Sequence, residues 1–385
     1  MYDVDKQAIT PPHQKSHNCD QTHQGTKSYL SHNPCSSSLT SKDYRDTSYR
    51  LVILGADWDF YEMAYSDLIT HKSTYIHGTK LKGKCASLIY RILFSPKINS
   101  IISLPNKSIW NWYFFRQTFK SLKRKTPTVF IFFKPWFDLS IKSGLIESLH
   151  KNFKNCKTVL FFQDIIASYQ DPLTGDTFDI EKYRDKFDLI ISFDQQDSRR
   201  FGLKYHNTIL SNLKVPIQQQ YKNDVFFIGK DKGRLPLVYE VFKKLTACNL
   251  SCKFILLDVP EDKHSKYPGM TFIDRLIPYN EVLNYVRNSS CLLEIMQHEA
   301  VGATYRTLET ISYDKILLSN NQALRDSDLF NESSMYLFDK ADDISDAVIN
   351  AIKVPPHISA DLKNKIRPES LISFIESELG IKIEI

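Results

Sequence analysis

From Tyr49 onward the chain is punctuated by short apolar runs that are too short for helices and do not alternate with polar residues. The first four are Leu51 to Leu54, Thr128 to Phe133, Thr158 to Phe162 and Leu189 to Phe193. Such runs fit strands of a parallel sheet covered on both faces, because every side chain must then be apolar whichever way it points. Helical patterns separate them, including Leu139 to Phe153 and Ile180 to Lys186, as parallel strands require for their crossovers. Lys214-Val215-Pro216 and the polar run Gln218 to Asn223 read as a linker, because the pattern restarts after them. Further strands are expected near Val225 to Ile228, Phe254 to Leu257, Thr271 to Ile273, Cys291 to Ile295, Ile316 to Leu318 and Met335 to Phe338. The expected fold class is α/β, with two doubly wound Rossmann-like domains facing a cleft.

A chain of 385 residues is too long for one ordinary core and suits two domains plus a tail. Residues 1–46 are rich in Ser, Thr, His, Asn, Gln and Lys, and cannot bury enough surface to offset chain entropy, so a disordered tail is expected there. His13, His17, His23 and His32 with Cys19 and Cys35 match no closed zinc pattern. The expected domains are then 47–217, 218–360 and a terminal segment 361–385 whose helix, about Pro368 to Leu379, packs back over the first domain.

Fifty Lys and Arg against 44 Asp and Glu give a formal charge of +6, which points to local basic sites rather than a surface that coats nucleic acid. Seven scattered cysteines without a metal-type pair fit reduced thiols in a cytosol. The amino terminus has no apolar signal region, and no stretch reaches the ~20 apolar residues of a membrane span. A soluble or peripheral cytoplasmic protein is the expectation.

Two strand-to-helix turns carry the chemistry. Gly302-Ala303-Thr304 opens a helix that bears Arg306 in its first turn and Glu309 three residues on. Small residues leave backbone N–H groups accessible, and the positive helix end favours an anion. Glu309 on the same face can accept from a sugar hydroxyl; the alternative is an intrahelical Arg306–Glu309 ion pair. The second turn, Lys230-Asp231-Lys232-Gly233-Arg234, follows the strand ending at Gly229 and precedes a helix opening with Leu235-Pro236. Lys230, Lys232 and Arg234 would then stand at the carboxyl edge of a sheet, where open α/β folds bind ligands, unless the loop is merely solvated.

Read together, Phe227-Ile228-Gly229-Lys230-Asp231-Lys232-Gly233-Arg234-Leu235, Pro278-Tyr279-Asn280-Glu281-Val282-Leu283 and Gly302-x-Thr304-x-Arg306-x-x-Glu309 resemble the carboxyl half of bacterial glycosyltransferases of the B fold, in particular the lipopolysaccharide and capsule biosynthesis group. Phe162-Gln163-Asp164 and the stretch from Phe187 to Asp197 in the first half are similar to the same group. The resemblance implies a nucleotide-sugar donor bound by Lys230, Lys232, Arg234, Gly302, Thr304, Arg306 and Glu309, and a glycan or lipid-linked glycan acceptor in the first domain. Glu299 lies ten positions before Glu309 rather than at the spacing usual in the wider superfamily, so only Glu309 is carried over.

Loss of a nucleoside diphosphate develops negative charge, which preorganised cations and N–H dipoles stabilise without a metal. If the anomeric carbon inverts, a base from the first domain is needed, and Asp57, just past the first strand, is the candidate; the alternative is a turn or capping Asp. Asp57-Trp58-Asp59 also has the spacing of a Mg²⁺ or Mn²⁺ handle, though the tripeptide is too short to be specific, and no metal or other cofactor is expected. Ser108 to Lys125, with six aromatic side chains before Lys120, Lys123, Arg124 and Lys125, is either a core helix or a peripheral contact with the inner membrane. Competing functions are a non-enzymatic two-domain sugar or nucleotide binder, an enzyme of the same fold that modifies a nucleotide sugar, and an inactive assembly subunit.

Overall fold

The computed structural model describes residues 48–55, 59–70, 72–77, 84–95, 98, 108–213, 222–296 and 301–385. The tail 1–46, Asp57, Glu299 and the linker at 214–221 lie outside them. All strand pairing between named strands is parallel.

The first sheet is built from β1 (Ser48–Leu54), β2 (Thr74–Ile76), β3 (Thr128–Phe132), β4 (Cys156–Phe162), β5 (Leu189–Ser192) and β6 (Lys204–Tyr205). The second is built from β7 (Asn223–Lys230), β8 (Cys252–Leu257), β9 (Met270–Ile273), β10 (Ser289–Glu294), β11 (Ile316–Ser319) and β12 (Met335–Leu337). A last strand, β13 (Lys382–Glu384), returns to the first sheet and pairs with the start of β1, while β2 pairs with its end. The second sheet has the order β12-β11-β10-β7-β8-β9, in which the chain reverses direction across the sheet between β7 and β10. Such a switch point leaves a crevice at the carboxyl ends of the two strands. The α/β class with two doubly wound sheets is therefore what forms.

Period-two geometry explains the apolar runs. In β1, Leu51 and Ile53 face one core and Val52 and Leu54 another, and β3 divides in the same way, with Val129 and Ile131 opposite Phe130 and Phe132. The core on one face is continuous through both halves. It joins Leu51, Ile53 and Val129 of the first sheet to Phe226, Ile255, Leu292 and Leu317 of the second, and it includes Leu371, Ile372 and Ile375 of the terminal helix Pro368–Leu379. Each such side chain, fully buried, contributes about 1.5–3 kcal/mol.

Two helical expectations need correction. The run Leu139 to Phe153 is two helices, Lys134–Ser143 and Leu145–Asn152, broken at Gly144, whose φ of 70° ends the first one. Ile180 to Lys186 is a pair of single 3₁₀ turns, Ile180–Lys182 and Arg184–Lys186. The aromatic segment forms the helix Ile109–Gln117; Trp110, Phe114, Phe115 and nearby Phe119 are buried in the core, whereas Trp112 is 61% exposed. Among the described residues no helix is long and apolar enough to cross a membrane.

Candidate functional site

At the end of β7 the chain turns sharply, with Lys232 at φ 44° and Gly233 at φ 80°. Asp231 Oδ1 accepts from the N–H groups of Gly233 (3.1 Å) and Leu235 (3.2 Å), which fixes the entry into the helix Leu235–Ala247. Arg234 folds back across the switch point. Its Nε donates to the Lys230 carbonyl at 2.9 Å, its Nη1 donates to the Ile295 carbonyl just past β10, and its guanidinium sits 5.5 Å over the Phe227 ring. Gly229 makes room for this: a Cβ there would lie 2.3 Å from Arg234 Nη2. Burial holds the Arg234 guanidinium below its ordinary pKa, against the opposing influence of Glu294 and Asp231.

Glu294, the last residue of β10, is 2% exposed. Its carboxyl group accepts from the hydroxyls of Thr307 (2.9 Å), Thr304 and Ser319, so three hydroxyls from the helix start and from β11 converge on it. Thr304 also caps the helix Tyr305–Tyr313 by accepting from Arg306 N–H at 3.1 Å. Gly302 packs against the first sheet, where a Cβ would meet Phe193 Cε2 at 2.8 Å. Its N–H is not open to a ligand, because it donates to Asp194 Oδ2 at 2.9 Å; Val301 N–H donates to the same oxygen at 3.1 Å. The N–H groups of Ala303 and Thr304 have no backbone acceptor among the described residues.

Arg306 and Glu309 form the intrahelical pair weighed as the alternative above. Arg306 Nη2 donates to Glu309 Oε1 at 2.9 Å and Nη1 lies 2.5 Å from Oε2, while the Tyr279 hydroxyl donates to Oε1 at 2.9 Å. Glu309 is fully buried, and burial raises its carboxyl to about 7 against the pull of Arg306 and Tyr279. It holds Arg306 in place instead of presenting oxygens to a ligand.

These elements enclose a cavity of about 330 Å³ between the two sheets. Lys232, Arg234, Gly302, Thr304 and Arg306 line it, so five of the residues singled out from sequence meet at one place. Lys230 and Glu309 do not line it. Lys230 instead points to Asp258 across the strand end, 2.5 Å from its carboxylate, with both side chains about half exposed. Asp57 lies outside the described residues.

The first sheet contributes Gln163, Asp164, Phe193 and Thr208 to the walls. Gln163 Nε2 donates to the Tyr65 hydroxyl at 3.0 Å, leaving a buried Oε1 without a partner among the described residues, and Asp164 is exposed beside it. Phe60 packs edge-on against Tyr279 and Tyr305 at 4.9 and 4.1 Å, and Tyr305 itself lines the cavity. Gln163, Asp164, Asp194 and Glu294 are site residues to which no motif in the sequence assigns a role. The signal available for Asp164 was its place directly after a strand, at the edge where ligands bind.

No protein-family model matches the sequence, and no curated protein matches it. Solved structures do share its architecture. A trehalose-6-phosphate synthase aligns with a TM-score of 0.52 at 10% identity, covering 86% of this chain and 99% of that one. The UDP-forming α,α-trehalose-phosphate synthase of Burkholderia xenovorans aligns with a TM-score of 0.52 at 9% identity, over 86% of this chain and 99% of its own. The fold is thus that of the B-fold glycosyltransferase structures, with two Rossmann-like halves; in this chain the end returns to the first half.

Proposed function

We propose that the protein is a glycosyltransferase that moves a sugar from a nucleoside diphosphate to a glycan acceptor. One observation carries this reading: two guanidinium groups and a lysine, brought by two strand-to-helix turns of the second sheet, face Gln163 and Asp164 of the first across a single cavity. The donor pyrophosphate sits against Arg234, Arg306 and Lys232 and the backbone N–H groups of Ala303 and Thr304. As the bond from sugar C1 to the phosphate oxygen breaks, these groups stabilise the charge on the departing diphosphate, and a metal ion is not needed for that purpose. The acceptor oxygen bonds to C1 and gives up its proton. In an inverting reaction that proton passes to a carboxylate of the first half, either Asp164, which lines the cavity, or Asp57.

The acceptor on this reading is a lipopolysaccharide, capsular or other surface glycan, built on the cytoplasmic face of the inner membrane. Exposed apolar side chains support a peripheral contact there. Leu88, Ile89 and Ile92 protrude from the helix Lys84–Leu93, and Ile109 and Trp112 from its neighbour, with Arg91 and Arg116 among them. UDP is the natural nucleotide to test, because the B. xenovorans protein is described as UDP-forming. The test is acceptor-dependent release of nucleoside diphosphate from UDP-, GDP-, dTDP-, CDP- and ADP-sugars, with sugar phosphates and lipid-linked oligosaccharides offered as acceptors. Release only when donor and acceptor are both present supports transfer; nucleotide binding without turnover for every pair contradicts it.

A further inference from the structure

The opposite edge of the second sheet, where its strands begin, holds a second hollow of about 410 Å³. Lys222 directly precedes β7, Arg287 ends the helix Tyr279–Arg287 ahead of β10, and Lys315 directly precedes β11. Because β7, β10 and β11 are neighbours, the three cations converge on the lining of this hollow. Arg287 Nη1 is buried with no hydrogen-bond partner among the described residues, while the guanidinium lies 5.7 Å over the Tyr313 ring. Lys315 Nζ donates to the Arg287 carbonyl at 2.8 Å, which uses one of its three protons. Burial, and then the nearby Arg287 charge, push its pKa down to about 8.

The acid at the rim does not neutralise this cluster. Asp314 Oδ2 is 2.6 Å from Lys363 Nζ and Oδ1 accepts from Ile358 N–H at 3.2 Å, so its carboxylate is already engaged. Cations at helix carboxyl ends complement the helix dipole, but that role requires neither a hollow between them nor a buried N–H without an acceptor.

We propose that this hollow is a second anion site, separate from the cavity between the sheets, that takes the phosphate group of a small phosphorylated molecule. The guanidinium fork of Arg287 and the ammonium of Lys315 bind the phosphate oxygens, and the exposed Lys222 stands at the mouth. The site does not depend on the function proposed above.

The test titrates inorganic pyrophosphate into the full-length Arg234→Ala protein by calorimetry, so that the interdomain cavity is weakened first. Binding is expected to persist in that protein and to fall by about tenfold when Lys222→Glu or Arg287→Met is added, as loss of a charge-assisted contact predicts. Lys222→Glu alters only an exposed side chain, so it remains decisive should Arg287→Met fail to fold. Absence of pyrophosphate binding in the Arg234→Ala protein, or the same affinity with and without Lys222→Glu, overturns the proposal.

Discussion

Asp194 and Gly302 stand 108 positions apart in the chain, yet the carboxylate of one accepts the backbone N–H of the other at 2.9 Å across the two halves. The second oxygen of Asp194 caps its own helix, accepting from Gln196 and Asp197 N–H at 2.9 and 3.0 Å. One buried carboxylate therefore satisfies four backbone donors drawn from both halves. Asp194→Ala leaves all four unsatisfied and is expected to destabilise the protein by about 1–3 kcal/mol. Urea unfolding checks this; a midpoint equal to wild type contradicts the bridging role.

Gly229 matters through the side chain that covers it. A methyl group in Gly229→Ala would lie 2.3 Å from Arg234 Nη2 and so displaces the guanidinium from the cavity wall. Affinity for UDP is expected to drop about tenfold, or about 1.4 kcal/mol, close to the effect of Arg234→Ala. A modest fall in the thermal midpoint should accompany it, because the displaced guanidinium gives up its bonds to the Lys230 and Ile295 carbonyls. Unaltered UDP affinity in Gly229→Ala would show that Arg234 is not a ligand contact.

Glu309 gives a pH dependence with a definite sign. Its folded-state value of about 7 lies above the ordinary 4.5, so the native protein retains a proton that the unfolded chain releases. That contribution to stability is complete below about 4.5 and is lost as the pH rises toward about 7. Glu309→Gln removes the titrating group, so stability falls less steeply over this window in the variant than in wild type. Unfolding curves collected at several pH values between these limits test the point, and parallel profiles would contradict it.

Asp164 and Asp57 make separable predictions about catalysis. Should Asp164 take the acceptor proton, Asp164→Asn lowers kcat by about 10²–10⁴ and leaves donor affinity near wild type. Asp57→Asn is then close to neutral for kcat. The reverse pattern moves the base to Asp57, and normal turnover in both variants excludes either carboxylate.

Much of this fold was legible because a parallel sheet buried on both faces writes each strand as an uninterrupted apolar run, as in Thr128–Phe132, where every residue is buried. The strands β2, β6 and β13 were not, since each has two or three residues and is defined by its neighbour more than by its own composition. β13 pairs with β1 from the far end of the chain, a relationship no local pattern contains. Cations at strand-to-helix turns marked Lys232, Arg234 and Arg306 for the cavity, because backbone topology alone sends such turns to the ligand edge. Side-chain commitments were hidden. Nothing near Glu309 in sequence announces Tyr279, and nothing near Gly302 announces Asp194, so the same letters that suggested a ribose contact and an open amide instead serve packing.

The most direct measurement is a calorimetric titration of UDP into the full-length protein and into its Arg234→Ala and Arg306→Ala variants. Wild type is expected to bind, and each variant to lose about tenfold or more, since a charge-assisted contact to phosphate contributes about 1.5–3 kcal/mol. Equal affinity in all three proteins would place the nucleotide elsewhere and remove the basis for sugar transfer in this cavity.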